Sequence, residues 1–295
     1  MGILNLTIDS FSDGGRFRTP AEAIDAARRM IDDGADLIDV GAESSRPGAD
    51  PVPEALEWQR LEPVLTALAP LDCPVSVDTR RPAVMARAIA AGAAVINDIG
   101  GFADPAAIAA VAAADVGLVV MHMQGEPQTM QQAPSYGDVV AEVAGFLAGR
   151  CRALAEAGVA PARLCVDPGF GFGKNLSHNL ALLAALDRLG VEAAAAVSGA
   201  VPVPVLAGLS RKSMLGRLTG RPVDRRLGAS VAAALVAVAR GAAIVRVHDV
   251  ADTVDALAVW RAATAGADAD SPPVGPGSAG PASRHGRASR AASAT

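Results

Sequence analysis

The sequence predicts an α/β fold, a TIM (β/α)8 barrel that forms a single domain over residues 1–265. Eight short apolar runs alternate with helical patterns, and eight is the strand count of this barrel. The runs are rich in β-branched residues and show no polar face, as parallel strands covered by helices require. Three of them directly follow a Gly-Ala pair at a position where a helix should stop. A doubly wound sheet is the alternative.

The eight apolar runs define where the strands should lie. They occupy residues 2–6, 37–41, 75–79, 95–99, 118–123, 164–167, 205–209 and 244–248. The segments between them carry helical periodicity, and the first segment is representative. Thr19 and Glu22 resemble a capping box, with Pro20 at the first helical position. The apolar face of this helix is expected to consist of Ile24, Ala27 and Ile31.

The alternating pattern stops after about residue 265. Of the 25 residues from 271 to 295, 19 are Ala, Ser, Pro or Gly. Such a segment cannot bury enough apolar surface to offset the entropy lost on ordering. We therefore expect residues 266–295 to form a disordered tail.

Composition and charge exclude several classes of function. The net charge of −5 argues against a nucleic-acid partner, which requires a basic face. Cys73, Cys151 and Cys165 are far apart and form no CxxC pair, so buried reduced thiols are expected rather than a disulfide framework or a zinc site. The sequence shows neither a signal peptide nor an apolar run of about 18 residues. These observations predict a cytoplasmic protein without a membrane partner.

Lysine is nearly absent from this chain. Of its 26 basic residues only Lys174 and Lys212 are lysines, and both lie in turns rich in glycine or serine. A GC-rich genome would favour arginine over lysine. A lysine retained under that bias suggests a place where a compact ammonium cannot be replaced by a planar guanidinium.

Polar residues follow every predicted strand. In a barrel of this kind the carboxyl ends of the strands carry the active site, so eight polar strand ends on one face predict a site there. For Asp39, Glu43 and Asp98, structural support and ligand contact are equally good interpretations. The polar strand-end residues are Asn5, Asp39, Glu43, Asp78, Asn97, Asp98, His122, Asp167, Ser210, Lys212, Arg246 and His248.

One group of these side chains suits a flat heterocycle with amidine-like donors and a carbonyl acceptor. Carboxylates accept from paired N–H groups, a carboxamide both donates and accepts, and an ammonium donates. The group comprises Asp78, Asn97, Asp167 and Lys212.

A second group suits phosphate. Arg246 and His248 are two residues apart on the eighth predicted strand, so their side chains should point to the same side. Together with Arg46, in the loop after the second strand, they would form a cationic cluster.

Several segments, taken in order, resemble the signatures of the dihydropteroate synthase family over residues 1 to about 265. Because the motifs are long and occur in the family's order, the resemblance is specific. They are residues 1–15 (MGILNLTIDSFSDGG), 39–48 (DVGAESSRPG), 76–79 (SVDT), 96–98 (IND), 121–125 (MHMQG), 167–174 (DPGFGFGK), 208–213 (GLSRKS) and 246–249 (RVHD).

The resemblance implies a reaction and its participants. Members of the family condense 6-hydroxymethyl-7,8-dihydropterin diphosphate with p-aminobenzoate and release diphosphate, with Mg²⁺ as cofactor. They are usually homodimers, and the same state is expected here. On this resemblance Asp9, Lys212, Arg246 and His248 would act in catalysis.

The resemblance also implies a place for each substrate. Asp78, Asn97, Asp167 and Lys212 would hold the pterin, and Met121 and Gly208 would line its pocket. Diphosphate would be bound by Ser45, Arg46, Arg246 and His248, with Asn5 as a ligand of Mg²⁺. The pocket for p-aminobenzoate would consist of Asp9, Phe11, Pro47, Phe172 and Ser210.

Two other functions are compatible with parts of this pattern. A methyltetrahydrofolate:corrinoid methyltransferase barrel shares the strand-end Asp and Asn residues but needs no diphosphate cluster, so residues 210–212 and the Arg246/His248 pair favour the synthase. A non-catalytic pterin-binding paralogue is the second alternative. It is supported by Ile8, where the family usually has Pro, and by a chain that starts inside the first strand.

Overall fold

Eight parallel strands form a barrel in the computed structural model, which describes residues 1–6, 19–44, 48–198 and 201–265. Each strand pairs with the next one along the chain, so the predicted barrel is confirmed. The predicted tail, residues 266–295, lies outside the described residues. The strands are β1 (Gly2–Asn5), β2 (Ile38–Gly41), β3 (Val75–Asp78), β4 (Val95–Asp98), β5 (Gly117–Met121), β6 (Leu164–Asp167), β7 (Val205–Ala207) and β8 (Ala242–Val245).

The barrel closes where β8 meets β1. Gly2 forms a parallel bridge with Val247 just beyond the end of β8. The Ile3 amide donates to the Val247 carbonyl at 2.9 Å, and the Val247 amide donates to the Met1 carbonyl at 3.0 Å. These bonds satisfy backbone groups that an open sheet would leave exposed at its edges.

Helices cover the outside of the barrel. The connections after β6 and β7 each contain two helices rather than the single one of the basic repeat. Gly34, Gly92 and Gly241 follow three of the helices with φ of 92°, 93° and 91°, as their C-terminal positions predicted. The helices are α1 (Pro20–Asp32), α2 (Glu54–Leu68), α3 (Pro82–Ala90), α4 (Pro105–Ala112), α5 (Val139–Glu156), α6 (Leu176–Ala184), α7 (Leu186–Ala196), α8 (Ser213–Thr219), α9 (Leu227–Ala239) and α10 (Val250–Thr264).

Helix α1 begins as predicted, but its buried face is rotated from the predicted one. Thr19 is the N-cap, its hydroxyl accepts from the Glu22 amide at 3.3 Å, and Pro20 follows at the first position. Ile24 and Ile31 are only partly buried, at the edge of the contact with the barrel. Small side chains permit a closer approach of helix and strands, which is why the centre of the face is built from alanine. The fully buried residues are Ala23, Ala26, Ala27 and Met30.

The predicted position of the eighth strand was wrong by two residues at its start and by three at its end. The strand begins at Ala242 and ends at Val245, with a register irregularity in β7 between Val205 and Leu206. Arg246 and His248 therefore lie beyond the strand, in the segment that leads to α10. The Arg246 amide still donates to the Ala207 carbonyl at 3.0 Å, so the chain remains attached to β7 there.

The core has two parts on either side of the sheet. The larger cluster lies between strands and helices and includes Cys73 and Cys151. The smaller cluster contains Cys165, and all three cysteines are free and buried, as predicted. Among the helices of the described ranges, none combines the length and the apolar character needed to cross a bilayer.

Candidate active site

The site is a layer of side chains at the carboxyl ends of the strands. Inside the barrel, two residues earlier along the same strands, lies an apolar layer. Successive side chains of a strand point to opposite faces, so residues two apart share a face. The apolar layer contains Val95, Val119, Cys165, Leu206 and Ile244. Two residues beyond each of these, at the carboxyl ends of the strands, come Asn97, Met121, Asp167, Gly208 and Arg246.

These five residues share one cavity. Its empty space, including the part that is open to solvent, is about 340 Å³. The six residues predicted to hold or line the pterin pocket are thus brought together, with Arg246 and Phe172 beside them. Sequence reasoning had not singled out Ile99 and Phe170, although both lie in segments that it had marked. The residues lining the cavity are Asp78, Asn97, Ile99, Met121, Asp167, Phe170, Phe172, Gly208, Lys212 and Arg246.

Arg246 joins two carboxylates on the floor of this cavity. Its Nε donates to Asp39 Oδ2 at 2.6 Å and one of its terminal nitrogens donates to Asp78 Oδ2 at 3.2 Å. Asp39 is fully buried and also lies 3.5 Å from the Asn97 carboxamide nitrogen. Asp39 does not line the cavity but supports Arg246 and Asn97 from below. Of the two interpretations left open for Asp39, structural support is therefore the one that applies.

Two acceptors face the cavity from neighbouring strands. Burial and the nearby Asp39 raise the pKa of Asp78 to about 7, although Arg246 opposes the shift. The carboxamide oxygen of Asn97 is buried without a hydrogen-bond partner among the described residues. A buried polar atom of this kind costs free energy unless a ligand pairs with it, so the site is suited to a molecule that carries N–H donors.

Lys212 and Asp167 form the opposite wall. Lys212 Nζ lies 4.2 Å from the centroid of the Phe172 ring, within the range of a cation–π contact. Burial and the neighbouring Arg246 lower the pKa of Lys212 to about 8, against the attraction of Asp167 and Asp78. Asp167 accepts from the Gly169 amide at 2.7 Å, and burial raises its pKa despite that bond.

His248 and Ser210 form a separate pair at the mouth of the barrel. The Ser210 hydroxyl lies 3.0 Å from His248 Nδ1 and accepts from the His248 amide at 3.2 Å. Arg211 and Asp249, the next residue in each segment, form an ion pair in which Arg211 Nε donates to Asp249 Oδ2 at 3.0 Å. The turn after β7 is thereby tied to the segment after β8. Arg46 lies outside the described residues, so the expected cationic cluster of Arg46, Arg246 and His248 stays a prediction.

Asp98 and Glu43 have structural roles as well. Asp98 accepts from the amides of Gly100 and Phe102, each at 2.7 Å, and so fixes the turn after β4. Glu43 accepts from Arg81 at 2.9 Å and from Arg80 at 3.3 Å. Although burial alone would raise the pKa of Glu43, these bonds hold it below its usual value.

A second cavity adjoins the first and shares Asp78 and Ile99 with it. Its empty space, including the part that is open to solvent, is about 570 Å³, and Glu43 and Arg80 form part of its polar wall. Behind this wall Arg81 donates to Glu57 at 2.5 Å, and the Glu57 side chain is fully buried. Burial raises the pKa of Glu57, although hydrogen bonds from Thr79 and Arg81 oppose the shift.

Six further predicted site residues lie outside the two cavities or outside the described residues. Asn5, at the end of β1, is described but does not line either cavity. The five others lie outside the described residues, so their predicted roles in binding diphosphate and p-aminobenzoate stay predictions. They are Asp9, Phe11, Ser45, Arg46 and Pro47.

Fold and site together define a class of protein: an α/β-barrel enzyme with a strand-end pocket that offers carboxylates, a carboxamide, an ammonium and a guanidinium to one flat polar ligand. Comparison with known families agrees with this description. The model of the family described as "Pterin binding enzyme" matches residues 1–248.

Individual relatives are more specific. A dihydropteroate synthase of Neisseria meningitidis serogroup B is 49% identical over 268 residues, which cover 89% of this chain and 91% of that protein. The crystal structure of the Burkholderia cenocepacia dihydropteroate synthase with 7,8-dihydropteroate matches with a TM-score of 0.80 and 55% identity, covering 90% of this chain and 91% of that one. The Xanthomonas albilineans enzyme with 4-aminobenzoic acid matches with a TM-score of 0.82 and 49% identity, at 90% and 93% coverage. The chain belongs to the pterin-binding enzymes and, within them, to the dihydropteroate synthases.

Proposed function

We propose that this chain joins 6-hydroxymethyl-7,8-dihydropterin diphosphate to p-aminobenzoate by a Mg²⁺-assisted displacement of diphosphate, and that the cavity over Arg246 is its pterin site. The observation that carries the proposal is the composition of this cavity. It combines the carboxylates of Asp78 and Asp167, the unpartnered Asn97 oxygen and the Lys212 ammonium within one small space.

The side chains of the cavity complement the edges of a pterin. Ionised Asp78 and Asp167 would accept from the ring N–H and amino groups, because carboxylates accept paired N–H donors well. Asn97 would accept one further N–H, and Lys212 would donate to the ring carbonyl. Met121 and Phe170 are buried and apolar, and they would pack on the faces of the ring.

The same groups assist bond cleavage. When the C–O bond to diphosphate breaks, its electron pair leaves with the diphosphate and positive charge develops on the pterin methylene, in conjugation with the ring. Asp78 and Asp167 would stabilise this charge because they are held in place at the cavity before the reaction begins. His248 would lie against the departing anion, held in place by Ser210.

The second substrate would then bind beside the pterin methylene. The amine of p-aminobenzoate would donate its lone pair to the methylene carbon and form the C–N bond, and one of its protons would pass to the released diphosphate or to solvent. Since an aniline nitrogen is weakly basic and already neutral, the enzyme needs to position it more than to deprotonate it. The Phe172 ring, which lines the cavity, is the described residue that could hold the aromatic ring.

The described residues suit Mg²⁺ only when diphosphate oxygens are also its ligands. Within the described ranges no group of three His, Cys, Asp or Glu side chains could hold a metal ion. Mg²⁺ prefers oxygen ligands, keeps several waters and commonly binds through substrate phosphates with one or two protein groups. Asn5 offers a carboxamide oxygen at the end of β1, and Asp9 would follow it. When bound, Mg²⁺ would neutralise charge on the departing diphosphate.

A direct assay tests the function. The purified protein is mixed with the pterin diphosphate, p-aminobenzoate and Mg²⁺, and formation of dihydropteroate and diphosphate is followed. The same chain is expected to rescue a strain that lacks its own synthase. A protein that bound a pterin analogue but formed no product and gave no rescue would be a non-catalytic paralogue, and the proposal would be wrong.

The pH dependence of kcat/KM for the pterin diphosphate should be bell-shaped. Asp78 must be ionised to accept hydrogen bonds from the N–H groups of the pterin. Because its pKa is raised to about 7, activity should fall as the pH drops below that value. Lys212 must be protonated, and because its pKa is lowered to about 8, activity should also fall above it. These limbs belong to the free enzyme, since kcat/KM reports on that state.

An Asp78→Asn variant provides the control for the pH profile. It should move the acidic limb to lower pH, and because the lost Asp78 charge also supports the protonated form of Lys212, the alkaline limb should move slightly to lower pH as well. An acidic limb unchanged by this substitution would show that another group controls it.

Mg²⁺ should bind to the protein appreciably only together with diphosphate. The described residues supply too few ligands to bind it alone, whereas diphosphate oxygens complete the set. Calorimetric titration of Mg²⁺ with and without diphosphate measures this. Replacing Asn5 by Leu should weaken Mg²⁺ binding by about tenfold, with affinity for a pterin analogue kept. Equal Mg²⁺ affinity in the variant would exclude Asn5 as a ligand.

A further inference from the structure

The second lysine of the chain is buried in the turn after β6. The side chain of Lys174 is only 3% exposed, although the turn itself is rich in glycine. Burial lowers the pKa of Lys174 to about 7, partly offset by the charge of Asp167. Isolated buried ammonium groups are costly, so a fold that retains one must satisfy it locally.

The Lys174 ammonium is satisfied by neutral acceptors. Its Nζ lies 2.9 Å from His122 Nδ1 and donates to the carbonyl oxygens of Phe172 at 2.9 Å, Gly169 at 3.1 Å and His122 at 3.3 Å. Burial and the nearby lysine lower the pKa of His122 to about 3, so its ring is neutral and Nδ1 can accept. The ring is held edge-on against Phe146, with centroids 4.9 Å apart.

The turn around Lys174 is packed closely against a neighbouring segment and is also held by other bonds, such as the one from the Gly171 amide to Asn179 Oδ1 at 2.7 Å. Gly169 and Gly173 have φ of 66° and 63°. A Cβ at these positions would lie 2.0 Å from the His122 carbonyl oxygen and 2.4 Å from the Gln124 carbonyl oxygen, respectively. The backbone of the turn therefore runs against the segment after β5, and the ammonium draws the carbonyl groups of both segments together.

The same turn carries two groups of the proposed active site. The Gly169 amide donates to Asp167 Oδ1 at 2.7 Å. The Phe172 ring lies over Lys212, with 4.2 Å between the ring centroid and Lys212 Nζ. The carbonyl groups of Gly169 and Phe172 are the ones that accept from Lys174, so a single cation fixes the backbone on both sides.

We propose that Lys174 is a positioning residue, whose buried ammonium gathers the carbonyl groups of the 169–173 turn and thereby fixes Asp167 and Phe172 at the pterin cavity. The inference rests on the proposed function, because it assigns a role to the support of that site. Lys174 contacts neither cavity, and its effect on the reaction is transmitted through the turn.

A merely structural lysine is the competing interpretation, and Arg163 provides a matched control for it. Arg163 is also a cation held by carbonyl groups, since it donates to Val111 at 2.8 Å, Ala112 at 3.0 Å and Val116 at 2.8 Å. It lies directly before β6, at the end of the barrel opposite the site. Lys174→Met and Arg163→Met each remove a cation from a cage of carbonyl groups, but only the first cage supports the cavity.

The two variants are compared in kinetics and in hydrogen exchange of the full-length protein. Lys174→Met should raise the KM for p-aminobenzoate by about tenfold or more, with a smaller fall in kcat, because small displacements of positioning groups have effects of this order. Amide exchange in residues 169–175 should be faster. Arg163→Met should lower the melting temperature by about as much as Lys174→Met does, but it should change KM by no more than about twofold.

A rescue experiment covers the case in which Lys174→Met fails to fold. Lys174→Ala leaves room for the missing part of the side chain, and added n-propylammonium can return the cation to the carbonyl groups. We expect it to restore at least part of the lost kcat/KM and to slow exchange in residues 169–175, whereas propanol should do neither.

The outcomes separate the two proposals. If Lys174→Met keeps the wild-type KM and exchange rates, or if propanol rescues as well as the ammonium ion, the positioning role is wrong. If the wild-type protein forms no dihydropteroate but its turn still loosens in Lys174→Met, the positioning of the turn stands and the proposed function fails.

Discussion

Replacing Lys212 by Arg should lower kcat/KM by about a hundredfold or more, although the positive charge is kept. Lys212 Nζ lies 4.2 Å from the centroid of the Phe172 ring, and Lys212 lines the same cavity as Asp167 and Arg246. Its stem runs beside the backbone of the turn after β6, because a Cβ added at Gly171 would be in van der Waals contact with Lys212 Cδ at 3.4 Å. A guanidinium would therefore occupy space that the pterin needs.

Steady-state kinetics and calorimetry with a pterin analogue measure this effect. A Lys212→Arg/Phe172→Leu double variant should recover part of the affinity for the analogue, since the smaller side chain leaves room for the guanidinium. If the lysine is only a relic of codon usage, Lys212→Arg should be nearly silent. Turnover above half of the wild-type value would exclude the role proposed for the ammonium.

The barrel itself could be predicted because its signals are local and repeated. A buried parallel strand needs an apolar, β-branched run, and a preceding helix needs a C-terminal residue that tolerates positive φ. Both signals occur within a few residues of Gly34, Gly92 and Gly241, and all three were found at helix ends. The polar residues at the strand ends could be identified once the eight apolar runs had been located, since side chains alternate along a strand.

Features that depend on contacts between distant segments were harder to predict. The eighth strand is shorter at its end than the apolar pattern suggests, because Val247 leaves β8 to bridge Gly2 of β1. The buried face of α1 is set by how closely the helix approaches the barrel, which its own periodicity does not determine. The surroundings of Lys174 depend on His122, which is 52 residues away.

The roles of the acidic residues show the same limit. Sequence reasoning left Asp39 undecided between support and ligand contact, because both roles place a carboxylate at a strand end. Only the position of Arg246, 207 residues later, shows that Asp39 acts as its counter-ion. This ion pair links the cavity to the stability of the fold, because Arg246 lines the one and neutralises a buried carboxylate in the other.

Replacing Arg246 by Met should therefore abolish pterin binding and also lower the free energy of unfolding by about 3–5 kcal/mol, because loss of one partner leaves a buried charge uncompensated. Asp39 is fully buried and accepts from Arg246 at 2.6 Å. Urea denaturation measures the stability, and titration with a pterin analogue measures the binding.

The Arg81→Met variant is a matched control. Arg81 likewise neutralises a fully buried carboxylate, that of Glu57, but it does not line the pterin cavity. Its loss should destabilise the protein by a comparable amount, with the affinity for the pterin analogue kept in the folded protein.

The Arg246→Met/Asp39→Asn double variant separates stability from function. Removing the charge at Asp39 should restore much of the lost stability at neutral pH, because the buried anion is gone. It should not restore pterin binding, since Asp78 still lacks its cation and the wall of the cavity is incomplete. Recovery of binding together with stability would mean that Arg246 only supports the fold and has no part in holding the ligand.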